Sequence, residues 1–100
     1  MIYLTQLIYL KEGGEQTFQE FEAVAIPILD QYNGSLLARL RPSQETWIAG
    51  EYPQPYEVHI VSFKTRSDFE AFAEDETRKN LLPLKEQSIE RTILIEGKVI

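Results

Sequence analysis

The residues able to do chemistry are few. Cysteine is absent and histidine occurs once, as His59. That removes disulfides, thiolate nucleophiles and Cys-ligated metals, and any His-based metal site or Ser-His-Asp arrangement would depend on one imidazole. His59 could act as an acid, a base or an axial haem ligand; the plainer alternative is a histidine packed and hydrogen-bonded within a strand. Gln6 interrupts an otherwise apolar strand face, where a polar side chain needs a partner, either a neighbouring backbone group or a ligand. Arg39 and Arg41 could clamp an anionic substrate, since guanidinium groups match carboxylates. A solvated edge, or pairing with Asp or Glu across a dimer, is their alternative. Tyr3, Tyr9, Tyr32, Tyr52 and Tyr56 join apolar bodies to polar tips, suited to lining a pocket for an aromatic ligand or to sheet packing. Glu74, Asp75 and Glu76 are adjacent, but neighbouring helical carboxylates diverge, so they read as a solvated face. No metal-binding pattern, Gly-rich phosphate loop or nucleophile elbow is present. No cofactor is predicted from the residues, with haem or flavin left open.

These side chains depend on elements that the hydrophobic pattern defines. Residues 56–63, which hold His59, are apolar on both alternating faces, the mark of a strand with partners on each side and cover above and below. Residues 2–10 read the same way, with Ile2, Leu4, Ile8 and Leu10 on one parity and Tyr3, Leu7 and Tyr9 on the other. From Glu15 the period changes. Phe18, Phe21, Val24, Ala25, Ile28, Leu29 and Tyr32 recur at helical spacing, and Glu15, Glu20 and Glu22 lie where the helix dipole favours them. Pro27 should kink this helix, and Asn33-Gly34 should stop it. Residues 35–41 alternate Leu36, Ala38 and Leu40 against Leu37, Arg39 and Arg41, the half-apolar pattern of an edge strand.

Residues 42–55, with three of the five prolines, form a loop long enough to be an arm, a lid or a hairpin extension. Thr46-Trp47-Ile48 within it could form a short extra strand, and Trp47 is the only tryptophan. Ser67 and Glu70 have the spacing of a capping box for a helix that buries Phe69, Phe72 and Ala73. The polar run 75–79 interrupts that helix. A further helical segment covers 81–89, with Pro83 in its first turn, before a last strand over 92–96.

Length and composition bound the rest. One hundred residues make one domain over 1–100 with a modest core, and 43% hydrophobic with 26% charged residues is ordinary for a globular chain. The net charge of −6, with no basic stripe, argues against nucleic acid. No apolar run approaches the roughly 20 residues needed to span a bilayer, and the N-terminus lacks the basic region of a secretory signal; the cytoplasm is the expected compartment.

The element order, strand-helix-strand-strand-helix-strand, predicts an α+β ferredoxin-like βαββαβ sandwich: four antiparallel strands with the helices on one face. The first and third strands would be central, which matches their two apolar faces. The other face of the sheet would be more apolar than a lone chain usually exposes, so a homodimer is predicted. Residues 26–39, Ile-Pro-Ile-Leu-Asp-Gln-Tyr-Asn-Gly-Ser-Leu-Leu-Ala-Arg, resemble the signature of a small family of unknown function in the dimeric α+β barrel superfamily. That superfamily also holds antibiotic-biosynthesis monooxygenases, haem-degrading monooxygenases and muconolactone isomerases. Residues 58–63, with Ser67, Phe69, Glu70, Ala71 and Phe72, fit the third strand and second helix of that family. The resemblance implies a pair of sheets closed into a dimeric barrel, with a pocket between each sheet and its helices. It also makes Gln6, Trp47 and His59 loose counterparts of the polar amide, tryptophan and histidine of the monooxygenases. His59 is therefore the candidate proton carrier, with Gln6, Trp47, Arg39 and Tyr32 as candidate ligand-binding residues. Two functions are open: a cofactor-independent oxygenase or isomerase acting on a small organic molecule, or a non-enzymatic dimerisation or ligand-sensing module.

Overall fold

Strand and helix follow one another as the hydrophobic period switches between two and 3.6 residues. The computed structural model describes residues 1–100. β1 (Ile2–Leu10) turns into α1 (Glu15–Ile28), which is followed by β2 (Gly34–Leu40) and β3 (Glu57–Phe63). Three short helices, α2 (Arg66–Ala73), α3 (Glu76–Asn80) and α4 (Leu82–Ser88), then lead to β4 (Ile89–Gly97). All four strands join one antiparallel sheet in the order β2-β3-β1-β4. This is the expected ferredoxin-like sandwich, with the two doubly apolar strands in its centre. No helix is long and apolar enough to cross a membrane.

The pairing of β1 with β3 decides which side chains face the helices. Ile2 stands opposite Phe63, Leu4 opposite Val61 and Gln6 opposite His59. Leu4, Phe63 and Leu29 make the buried centre of the core, with Val61, Leu36 and Phe72 against it. Phe63 tilts against Phe69 and Phe72 with ring centroids 5.4 Å apart in each pair, geometry that adds roughly 1 kcal/mol per pair to plain area burial. Val58 and Ile60, of the opposite parity, turn to the uncovered face.

α1 buries the expected stripe at Phe18, Phe21, Ala25 and Ile28, while Val24 stays exposed. Pro27 does not divide the helix. It sits one residue from the end, where the chain tightens into a 3-10 turn over Leu29–Tyr32, so its missing N–H falls where the α-helical ladder is already closing. Asn33 then takes the left-handed conformation (φ 56°), and Gly34 lies so close to the core that a Cβ would come within 2.7 Å of Phe63 Cε1.

Three local expectations are corrected. Residues 46–48 form no strand; Thr46 closes a turn over 44–46 held by its contacts with Ser43, and 47–48 are irregular. The cap of α2 is Thr65, whose Oγ1 accepts from the Asp68 N–H at 3.1 Å, so the helix starts one residue before Ser67 and the Ser67–Glu70 box does not form. In β2 the register shifts between Leu36, opposite Val61, and Ala38, opposite Ile60. Leu37 is the extra residue of a β-bulge. Such an insertion swaps the two faces of a strand, so Leu36 and Arg39 point to the same side, where simple alternation puts them on opposite sides.

Candidate functional site

The bulge is what brings arginine under the helices. Beyond it Arg39 pairs with His59, and Arg39 and Arg41 both reach Glu57, two residues before His59 on the same face of β3. Glu57 is 1% exposed. Its Oε2 accepts from Arg39 Nε at 2.7 Å and lies 2.5 Å from His59 Nε2, while Oε1 accepts from Arg41 Nε at 2.9 Å. Arg39 also donates to Gln19 Oε1 of α1 at 3.2 Å, and Arg41 lies over the Tyr56 ring, 4.9 Å from its centroid. Burying a carboxylate costs several kcal/mol unless its lone pairs are met, and here three donors meet them. Burial pushes the Glu57 carboxyl up, but the hydrogen bonds from Arg39, His59 and Arg41 outweigh it and hold the group below its ordinary value. It is a carboxylate at neutral pH.

His59 is 4% exposed. Burial lowers its pKa below the ordinary value, against the opposing hydrogen bond to Glu57. A neutral imidazole beside a carboxylate carries its proton on the nitrogen facing that carboxylate. Nε2–H therefore donates to Glu57, and Nδ1, which has no hydrogen bond in the chain, keeps its lone pair. The arrangement can accept a proton.

His59 lines a cavity of about 260 Å3 between the sheet and the helices. Leu4, Ile8, Phe21, Ala25, Phe63 and Phe72 give it apolar walls; Gln6, Glu22, Arg78, Lys85 and Thr92 supply polar groups. Glu22 is the unusual member. It sits four residues after Phe18 and three before Ala25, inside the buried stripe of α1, and is 7% exposed. Unlike Glu57, it forms no ion pair. Burial raises its pKa to about 7, with Glu57 adding to the rise and Arg39, Arg78 and Lys85 opposing it. Burial lowers the pKa of both Arg78 and Lys85. One wall thus offers a carboxyl that is half protonated near neutrality, and the sheet offers a neutral histidine held by a carboxylate. Two acid–base groups pushed to different values in one enclosure are the usual setting for proton transfer.

Of the residues singled out from sequence, the structure brings Gln6 and His59 together as cross-strand neighbours that both line the cavity. Arg39 stands beside them, engaged by Glu57 and Gln19. Trp47 and Tyr32 are elsewhere. Trp47 Nε1 donates to the Tyr52 carbonyl at 3.0 Å within the 42–55 loop, and the Tyr32 hydroxyl donates to Asp75 Oδ2 at 2.5 Å between the 3-10 turn and α3. Glu22, Glu57, Arg78 and Lys85 were not among the candidates. The first two carried a readable signal, Glu22 by its place in the apolar stripe and Glu57 by sharing the parity of His59 in a strand buried on both sides. No set of His, Asp and Glu side chains is grouped to hold a metal ion.

Comparison with solved structures bears on the fold. A protein of unknown function from Rhodopseudomonas palustris superposes over 99% of this chain and 82% of its own, with a TM-score of 0.84 at 14% identity. A candidate antibiotic biosynthesis monooxygenase from Nitrosomonas europaea matches over 100% and 99% of the two chains, with a TM-score of 0.76 at 13% identity. The chain has a ferredoxin-like α+β fold. A further neighbour, a dabb family protein with a ferredoxin-like fold from Mesorhizobium loti, covers 99% of this chain and 96% of its own at a TM-score of 0.68 and 14% identity. At such identities the likeness is one of fold. No family model and no curated protein matches the sequence.

Proposed function

We propose that this protein, in the cytoplasm, binds a small organic molecule in the cavity between sheet and helices and moves a proton on it, as a cofactor-independent oxygenase or isomerase. The observation that carries this reading is that Glu22 and His59 line one largely apolar cavity. His59 Nδ1 is the base, oriented by Glu57 through Nε2. Glu22 is the group that returns or receives the proton, and Gln6, beside His59, orients the ligand. Its apolar walls strengthen polar contacts made against them. Chemistry without a cofactor is favoured because a cavity of about 260 Å3 is too small for a haem or a flavin, and because His59 Nε2 is already taken by Glu57.

The test does not need the natural substrate. The protein is incubated in D2O with a panel of carbon acids, such as β-keto acids and dihydroxyaromatics, and exchange of C–H for C–D is followed by NMR. The wild type is expected to accelerate exchange for at least one compound, with the acceleration lost in His59→Gln and Glu22→Gln. A wild type that accelerates none of them would remove the proton-transfer reading and leave the ligand-sensing module.

A specific observation also favours pairing of two chains. The uncovered sheet face gathers Leu7, Leu40, Val58, Ile60, Ile93 and Ile95, with Leu40 and Ile95 each 51% exposed. We propose that a second copy covers this face. Ile60→Lys, which puts a charge at its centre, is expected to turn a dimer into a monomer in sedimentation; a wild type that sediments as a monomer would end this proposal.

A further inference from the structure

We propose that the cavity selects molecules bearing one carboxylate or similarly compact anionic group, held by Arg78 and Lys85, with a single ring or short chain among Leu4, Phe21 and Phe63. This rests on the ligand-binding reading above and deepens it.

Arg78 and Lys85 come from different helices, α3 and α4, and both line the cavity. Neither forms an ion pair, and neither side chain takes part in a hydrogen bond within the chain. The other cation close to His59, Arg39, is occupied by Glu57. Arg78 makes a cation–π contact: its Cζ lies over Phe72, 4.9 Å from the ring centroid. Phe72 is itself a cavity wall. That contact occupies none of the guanidinium's hydrogen-bonding capacity for an oxyanion, since its N–H donors bond to no other group of the chain.

Glu22 supplies the second, independent observation. The residue is 7% exposed, lines the same cavity and lies near enough to Arg78 and Lys85 to be influenced by both, yet it bonds to neither. A carboxyl and two cations thus line one apolar space without bonding to one another. A bound carboxylate would bond to the two cations and, when Glu22 is protonated, accept its O–H. The charged groups acting on Glu22 are Arg39 and Glu57 from the sheet and Arg78 and Lys85 from the helices, with His59 lining the same cavity, and Glu22 is the one whose ordinary titration is moved to neutrality. Binding of an anion is therefore expected to draw a proton onto Glu22 and to weaken as the pH rises above 7.

The size of the cavity, about 260 Å3, limits the rest of the molecule to about one ring with a short arm.

Matched acids and amides test this: benzoate against benzamide, phenylacetate against phenylacetamide and cinnamate against cinnamamide, each titrated calorimetrically into the wild type. The acids are expected to bind about tenfold or more tighter than their amides, the range of a charge-assisted hydrogen bond. The preference is expected to vanish in Arg78→Gln/Lys85→Gln and to survive in Arg66→Gln, which removes a cation outside the cavity. Ala25→Phe, which fills the cavity, is expected to abolish binding of every probe. Amides binding as tightly as acids, with binding still lost in Ala25→Phe, would overturn the selectivity and leave the ligand site standing. Acid binding that persists in Ala25→Phe, or no binding of any probe at millimolar concentration, would overturn both. The acid–amide comparison uses the wild type alone, so it stands even where a variant fails to fold.

Discussion

Glu57 and Glu22 are two buried glutamates, one bonded to the cavity residue His59 and the other lining the cavity itself, and their environments drive them in opposite directions. Glu57, on the sheet, is met by Arg39, Arg41 and His59, and its pKa falls. Glu22, on α1, is met by no hydrogen-bond donor of the chain, and its pKa rises to about 7. Burial acts on both in the same sense. The difference lies in the donors. A carboxyl surrounded by bonds is fixed as a structural anion that orients its neighbours, whereas one left without them stays free to exchange a proton.

The largest expected effect breaks the Glu57 side of this contrast. Glu57→Ala leaves Arg39, Arg41 and His59 without their shared acceptor and is expected to cost about 3 kcal/mol in urea unfolding. That is near the low end for breaking a buried pair, because both arginines can turn toward solvent. The Glu22 side is read through pH. A carboxyl whose folded pKa is raised contributes stability that is complete below its unfolded value and is lost as pH climbs through the folded one. For Glu22 the window runs from 4.5 to about 7, worth about 3 kcal/mol at most. Glu22→Gln is expected to melt above the wild type at pH 8, with the difference gone at pH 4.5.

Glu57 acts at the other end. Its pKa is depressed, so its contribution is present above the ordinary carboxylate value and lost as pH falls through the folded one. His59→Gln sharpens the comparison more gently. It removes one of three partners of Glu57 and is expected to cost about 1–2 kcal/mol in the same unfolding experiment, in line with one hydrogen bond to a charged group. The smallest effect belongs to Trp47→Phe. The indole donates only to Tyr52 within its own loop, so a change of about 1 kcal/mol or less is expected, with cavity ligands unaffected.

The fold was legible in the sequence because it is written in periods. The doubly apolar strands, the stripe from Phe18 to Leu29 and the Asn33-Gly34 stop each constrain backbone geometry directly. The site was legible only in part. Gln6 and His59 could be seen as polar positions in apolar strands, but their meeting across β1 and β3 depends on register, which a strand apolar on both sides does not specify. The arginines were assigned to the wrong face relative to Leu36 because a bulge adds a residue without disturbing the hydropathy of the strand. Glu22 was hidden by a reasonable competing role, since an acid near the start of a helix also suits the dipole. Trp47 and Tyr32 were chosen for the chemistry of their side chains, and the structure shows their polar atoms meeting partners outside the cavity, Tyr52 and Asp75.

The central claim is that Glu22 is an unpartnered carboxyl facing the cavity, and it can be measured directly. With glutamate side-chain carboxyls labelled with carbon-13, and Glu22 assigned by its absence in Glu22→Gln, an NMR titration gives its midpoint. A midpoint near 7, moving upward when phenylacetate is bound, is the expected result. A midpoint at the ordinary 4.5, unchanged by ligand, would mean that Glu22 is solvated or paired and would contradict the account.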